Sequence, residues 1–206
     1  MRIQRDQVIS SALALLAEDG IEGLTLRKLA LALQIQAPSL YWHFPNKQAL
    51  IDGMADALVE TVARDISPTQ PWDDQARLIA LELRQALLAH RDGARVFAGT
   101  YVVTDNVLRT SDALIGAFVR SGASAHRAAS ASLSLLYFIL GFVMEEQALG
   151  VDSTIDVTVR KDAFFRLAQS KYPHCWEARH TFFSEDFDSR FSEGLNLFIA
   201  GFKSTL

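Results

Sequence analysis

Apolar residues along this chain recur three and four positions apart, the period of a helix that faces a core on one side. Val8, Ile9, Ala12, Leu13, Leu15 and Leu16 share one broad face, and Gly20 is placed to end that helix. Thr25 is a natural N-cap for a short second helix, 25–32, with Leu26, Leu29 and Ala30 inward. A brief break at 33–36 precedes a third short helix, about 37–43, with Pro38 in its first turn. Asn46 caps a long helix predicted over 47–65, carrying Leu50, Met54, Leu58 and Val62. "SPTQPWDD", 67–74, reads as a linker. Helical patterns follow near 73–90, 94–99, 105–121, 125–149, 158–171 and 187–204. "TIDVTV", 154–159, alternates too briefly for a strand and reads as loop, and 170–186 reads as loop with a short turn of helix. The expected fold class is all-α: a small N-terminal head over 1–47, a connecting helix over 47–65 and a larger helical body over 66–206.

Composition changes this picture little, and charge distribution somewhat more. Half of the 206 residues are hydrophobic, ample for a core. The net charge of −4 at face value argues against nucleic acid. Residues 1–47, however, hold five Lys/Arg (Arg2, Arg5, Arg27, Lys28, Lys47) against four acids, and the remainder holds fifteen against twenty. A slightly basic head on an acidic body is compatible with local DNA contact. The single cysteine, Cys175, excludes an internal disulfide and fits a reducing compartment. No signal peptide is evident, and the most apolar run, "LLYFILGFVM", is too short to span a bilayer. A soluble cytoplasmic protein without membrane partners is expected.

The stretch "PSLYWHFPNK", 38–47, places four rings in a row. Two short helices joined by a tight break, after a longer one, form a helix-turn-helix pattern whose second helix enters the major groove. Tyr41 and His43 carry donors able to reach phosphates, and Trp42 has one N–H and a broad apolar face. Pro38 and Ser39 are small enough for close approach to base edges. Lys47, opening the next helix, is placed to hold a phosphate by charge and helix N-terminus together. Thr25 supplies a phosphate anchor and Arg27 a side chain long enough to reach a guanine. The competing reading is that aromatics on a short helix are core. Leu40 and Phe44, four apart, fit that role, but Tyr41, Trp42 and His43 cannot all share their face.

The run "GIEGLTLRKLALALQIQAPSLYWHFPNKQAL", 20–50, resembles the DNA-binding domain of the tetracycline-repressor (TetR) family, through "TLRKLA", "PSLYWHF" and Asn46-Lys47. The resemblance continues into "HRDGARVFAGTY", 90–101, and "GFVMEEQ", 141–147, which are similar to that family's ligand-binding body. Gln34 departs from the glycine common in the turn, which carries a small strain cost. The resemblance implies a homodimeric repressor bound to a palindromic double-stranded DNA operator. Arg27 would contact a base, Ala37, Pro38 and Ser39 would read bases or a thymine methyl, and Thr25, Tyr41, His43 and Lys47 would hold phosphates. The 66–206 body would bind a small-molecule inducer and dimerise.

Phe187, Phe191, Leu195, Phe198 and Phe202 recur along the last helix, and 133–144 is apolar nearly all round. Two such helices per chain either pair with their mates as a four-helix seam, through Phe138, Phe142, Phe191, Leu195, Phe198 and Phe202, or form core within one chain. In the tetracycline repressor the drug is held through magnesium by a histidine and a glutamate. The histidine position here is Phe97, Thr100 and Glu145 match, and the polar and aromatic positions on the 73–90 helix are Ile79 and Leu83. Losing the imidazole removes the best metal ligand, so poor binding of magnesium-tetracycline is expected. The expected pocket is apolar and aromatic, lined by some of Ile79, Leu83, Phe97, Thr100, Tyr101, Leu114, Phe118, Leu136 and Glu145. Glu145 either anchors ligand or pairs with Arg95 or Arg109. His174, Cys175 and His180 do not have the spacing of a zinc site. No nucleophile motif or phosphate loop is present, so no enzyme, cofactor or metal is expected. The alternatives are an all-helical enzyme or ligand carrier without DNA function, and a family member that binds DNA without an inducer.

Overall fold

The computed structural model describes residues 4–100, 102–149 and 156–206. Among these residues the chain forms twelve helices and no strand. The head comprises α1 (Arg5–Gly23), α2 (Leu26–Ala32) and α3 (Ala37–Leu40), followed by α4 (Lys47–Leu58). The body comprises α5 (Trp72–Leu88), α6 (Gly93–Phe97), α7 (Asp105–Arg120), α8 (Ala125–Ala148), α9 (Val157–Lys171), α10 (Pro173–Glu177), α11 (Arg179–Phe182) and α12 (Phe187–Lys203).

The head forms as its punctuation dictates. Gly20 breaks α1 at φ 69° and ψ 178°, where a side chain would also press on Asp92 Oδ2 and Arg91. Thr25 Oγ1 accepts from the Lys28 amide at 3.2 Å and Asn46 Oδ1 from the Ala49 amide at 2.8 Å, so both expected caps form. Val8, Ala12, Leu16, Leu29, Leu40 and Phe44 are sealed in the head's core. Two expectations need correction. The third helix spans only Ala37–Leu40, and residues 41–43 continue as a turn closed by Phe44 N–H donating to Leu40 O at 2.9 Å. The connecting helix stops at Leu58 rather than reaching 65. Beyond it the chain turns through 59–63 and places Ala63 at φ 56°, its N–H donating to Glu82 on α5 at 2.7 Å.

In the body, α5, α7 and α8 pack on one another, α6 bridges α4, α5 and α8, and α12 lies along α8. Residues Val157–Val159, expected in a loop, open α9, where Asp156 accepts from the Val159 amide at 3.0 Å. The segment 170–186, expected as loop with one helical turn, contains α10 and α11. Asp186 caps α12, accepting from Ser189 N–H at 2.9 Å. The run Leu135–Met144 belongs to a 24-residue helix that is long and apolar enough to cross a membrane by composition. That corrects the length expectation. The helix instead packs against α5, α6, α7 and α12, burying Leu135, Ile139 and Val143.

Head and body meet through polar clamps. Asp92 accepts from Ile21 N–H at 2.8 Å, Arg91 donates to Glu18 O at 2.9 Å, and Arg95 pairs with Glu22 at 2.6 Å. On the other side, Asp56 of α4 receives both Asn106 amide groups. Arg109 donates to the carbonyls of Val59, Glu60 and Val62, which α4 leaves without helical partners.

Candidate functional site

The helix-turn-helix element brings its nine expected DNA-facing residues to one small unit, and burial sorts them from their neighbours. Leu40 and Phe44 point inward and are sealed, as expected. Thr25, Arg27, Pro38, Tyr41, Trp42 and Lys47 are exposed, with Trp42 at 89% of its surface free, and Ala37, Ser39 and His43 are half-buried. An indole left in water gains nothing for the fold, so Trp42 is not core. Thr25 Oγ1 uses a lone pair on the Lys28 amide and keeps its hydroxyl proton free to donate. Lys47 occupies the first turn of α4, beside the N–H groups of that helix. Lys28 differs from the other head cations: Asp19 holds it at 2.8 Å.

The residues expected to line a ligand pocket separate into groups. Ile79, Leu83, Leu114 and Phe118 are fully enclosed in the hydrophobic core, and Phe97 nearly so. Phe118 packs edge-on against Phe202 at 4.7 Å and also meets Trp72 and Phe198, which places it in an aromatic cluster joining α5, α7 and α12. Thr100 donates to Phe97 O at 2.6 Å and is half-buried, as is Leu136. Tyr101 lies outside the described residues. Glu145 is exposed and forms no ion pair among the described residues. Neither suggested partner reaches it: Arg95 engages Glu22 and Asp92, and Arg109 engages Asn106 and the carbonyls of the turn that follows α4. Its neighbour Glu146 carries the ion pair instead. Arg84 of α5 forms a fork with Glu146, at 2.7 and 3.0 Å, reaches Asp188 of α12 at 2.7 Å, and lies over the rings of Phe191 and Phe142. Burial acts to lower the Arg84 pKa, but the hydrogen bonds and charges of Glu146 and Asp188 together outweigh it and raise the value. Sequence spacing did not reveal this triad, because its members come from three helices.

Two polar atoms are buried without partners among the described residues: Thr104 Oγ1 and Gln147 Oε1. The Gln147 amide nitrogen donates to Leu87 O and His90 O, which fixes its orientation. Two surface clefts are formed by described residues, and none of the nine pocket residues lines either. One, about 290 Å³, lies between Leu149, Val157, Arg160 and the Phe182–Phe187 segment. The other, about 450 Å³, runs between α8 and α12 beside Arg127, Ser134, Leu197, Gly201 and Thr205.

That second cleft bears on the expected seam: Phe198 and Phe202, two of its six residues, line it together with Leu197 and Gly201. Phe191 and Leu195 are enclosed within one chain, and Phe138, Phe142, Phe198 and Phe202 are half-buried with their rings packed inside it. Gly194 makes this possible: a side chain there would collide with the Phe138 ring at 2.7 Å. Beside them on the same two helices, Leu133 and Tyr137 of α8 and Leu197 of α12 are exposed, the last to 76%. Gly141 and Gly201 have no neighbour within 4 Å.

Comparison with known proteins agrees with this architecture. Residues 8–54 match the family described as bacterial regulatory proteins, tetR family, and residues 67–206 match the tetracyclin repressor-like C-terminal domain. The chain is 37% identical to the class C tetracycline repressor protein of Escherichia coli over 204 residues, 97% of this chain and 90% of that one. The crystal structure of a possible TetR family transcriptional regulator from Streptomyces coelicolor A3(2) superposes with a TM-score of 0.89 at 36% identity, covering 98% of this chain and all of the other. The ActR protein of Streptomyces coelicolor, in complex with actinorhodin, superposes with a TM-score of 0.84 at 26% identity, covering 97% of this chain and 95% of that one. A helix-turn-helix head, an all-helical body and family matches over both parts place the chain in the tetR family of DNA-binding transcriptional regulators.

Proposed function

We propose that this protein is a cytoplasmic homodimeric repressor that binds a palindromic operator and leaves it when a small apolar or aromatic inducer occupies the body. The observation that carries the DNA-reading half is the sorting of the "LYWHF" block. Leu40 and Phe44 are sealed inside while Tyr41, Trp42 and His43 are left at the surface beside Lys47. Arg27, Ala37, Pro38 and Ser39 face base edges, and Thr25, Tyr41, Trp42, His43 and Lys47 face the backbone. Two heads reading successive major grooves stand about 34–36 Å apart, which sets the spacing of the half-sites. Leu133, Tyr137, Gly141, Leu197 and Gly201 form the dimer seam together with the half-buried Phe138, Phe142, Phe198 and Phe202. Their support is their exposure in a single protomer.

The inducer site lies in the body around Phe97, Thr100 and Leu136, with Glu145 at its edge and Ile79, Leu83 and Leu114 as its floor. Phe118 is dropped from this set, because its ring is committed to Trp72, Phe198 and Phe202. ActR in its complex with actinorhodin supports an aromatic ligand for this body, and the tetracycline repressors are the rival precedent. The clamps of Asp92 and Arg95 on α1 and of Arg109 on α4 are the contacts through which a shift in the body would reach the head.

Fluorescence anisotropy against the DNA flanking the gene, over a salt series, tests the reading. Tight binding that weakens steeply with salt and fails in a Tyr41→Ala/Lys47→Ala variant is the expected result. Equal, weak binding to every duplex by both proteins would sink the DNA reading and favour a ligand carrier.

A further inference from the structure

Arg5 is the one described head cation that neither the motif nor the family pattern assigned a role and that has no acidic partner. Its guanidinium lies over the ring of Phe44, 5.0 Å from the centroid. Phe44 closes the turn that displays Tyr41, Trp42 and His43, and Pro45, Asn46 and Lys47 follow it. Arg5 is exposed and forms no ion pair with any acid near it. Asp6, one position on, points 100° around α1, and Asp52 of α4 is engaged by Gln48 at 2.8 Å. Lys28, by contrast, is neutralised by Asp19.

A guanidinium over a sealed ring is held in place: one Arg5 NH2 group lies against Gly53 of α4, and the exposed side chain keeps its other donors in water. The donors turned away from α4 remain able to hold a phosphate oxygen. We propose that Arg5 is a phosphate-holding residue of the DNA interface, placed by Phe44 at the flank of the reading element. The proposal rests on the DNA-binding reading above. Among the described residues, three unpaired cations per head, Arg5, Arg27 and Lys47, would then face the duplex, and Lys28 would not.

The test compares Arg5→Met, Arg5→Lys and Lys28→Gln with the wild-type chain on a duplex that the wild-type protein enriches from a random-sequence pool. Arg5→Met keeps an apolar cover on Phe44 and removes the charge, so its melting temperature is expected to stay close to wild type. The slope of log affinity against log salt is expected to become shallower by about 1.8 in Arg5→Met, about 0.9 for each head. Arg5→Lys is expected to restore most of it, and Lys28→Gln to leave it unchanged. A wild-type slope in Arg5→Met overturns the role of Arg5 and leaves the DNA reading intact. Failure of the wild-type protein to enrich any duplex overturns both.

Discussion

Gln34 sits at φ 55°, in the left-handed region, at the turn between α2 and α3. A side chain there costs about 1 kcal/mol relative to glycine. Gln34→Gly is therefore expected to raise the melting temperature by roughly 2 °C, read by thermal denaturation at fixed protein concentration. A lower melting temperature would mean that the glutamine side chain contributes more than its strain costs. Arg84 is the opposite case. It is nearly enclosed, and its removal strands the Glu146 carboxylate, itself mostly buried. Arg84→Ala is expected to cost about 3 kcal/mol and to lower the melting temperature by roughly 10 °C. The salt bridge of Arg95 to Glu22 is exposed on both sides, and Arg95→Ala is expected to change stability by less than about 1 kcal/mol in the same assay. Arg27 and Lys47 were legible as candidate DNA contacts because motif position alone marks them. Arg5 was not, since its role depends on a ring thirty-nine positions away.

At the scale of elements, the two faces of α12 have different work. The face carrying Phe191, Leu195 and Ile199 closes the core, and the face carrying Leu197 is open. Leu197→Glu is expected to convert the dimer to monomer, with helicity retained, by sedimentation or light scattering. Phe191→Ala is expected to cost about 3–4 kcal/mol of stability while leaving the assembled state of the folded fraction unchanged. The reverse pattern would place the seam on the Phe191 face. Both faces are apolar and both recur every three to four residues, so periodicity alone does not distinguish a core face from a partner face. Gly194 lets Phe138 of α8 come down onto the backbone of α12, while Phe198 and Phe202 stay on the open cleft beside Leu197. The shortened α4 has a similar origin. Val59 and Val62 continue the helical apolar pattern, but Arg109 and Glu82 capture the backbone groups that further turns of helix would have used.

For the whole molecule, head and body are joined by α4 and by two polar clamps, the contacts through which the proposed ligand response would act. The chemistry of the body argues for the class of effector. Phe97, Ile79 and Leu83 leave no imidazole or amide to organise a metal. Mixing the protein with tetracycline and magnesium is expected to give no metal-dependent shift in drug fluorescence and no change in melting temperature. A shift that requires magnesium would return the protein to the tetracycline-responsive class represented by its Escherichia coli relatives. Planar aromatic compounds with few polar groups are the ligands expected to raise the melting temperature by mass action.

The helical class, the order of the elements, the caps at Thr25 and Asn46, the break at Gly20 and the surface display of Tyr41 and Trp42 were determined by the sequence alone. Each depends on residues within a few positions of one another, where backbone propensity and side-chain period act directly. Tertiary structure alone decided where α4 stops, which stripe of α8 and α12 stays open, that Glu146 rather than Glu145 carries the ion pair, and that Arg5 rests on Phe44. Those features are set by which helices meet and at what faces, and residues distant along the chain then compete for the same backbone groups, charges and apolar surface.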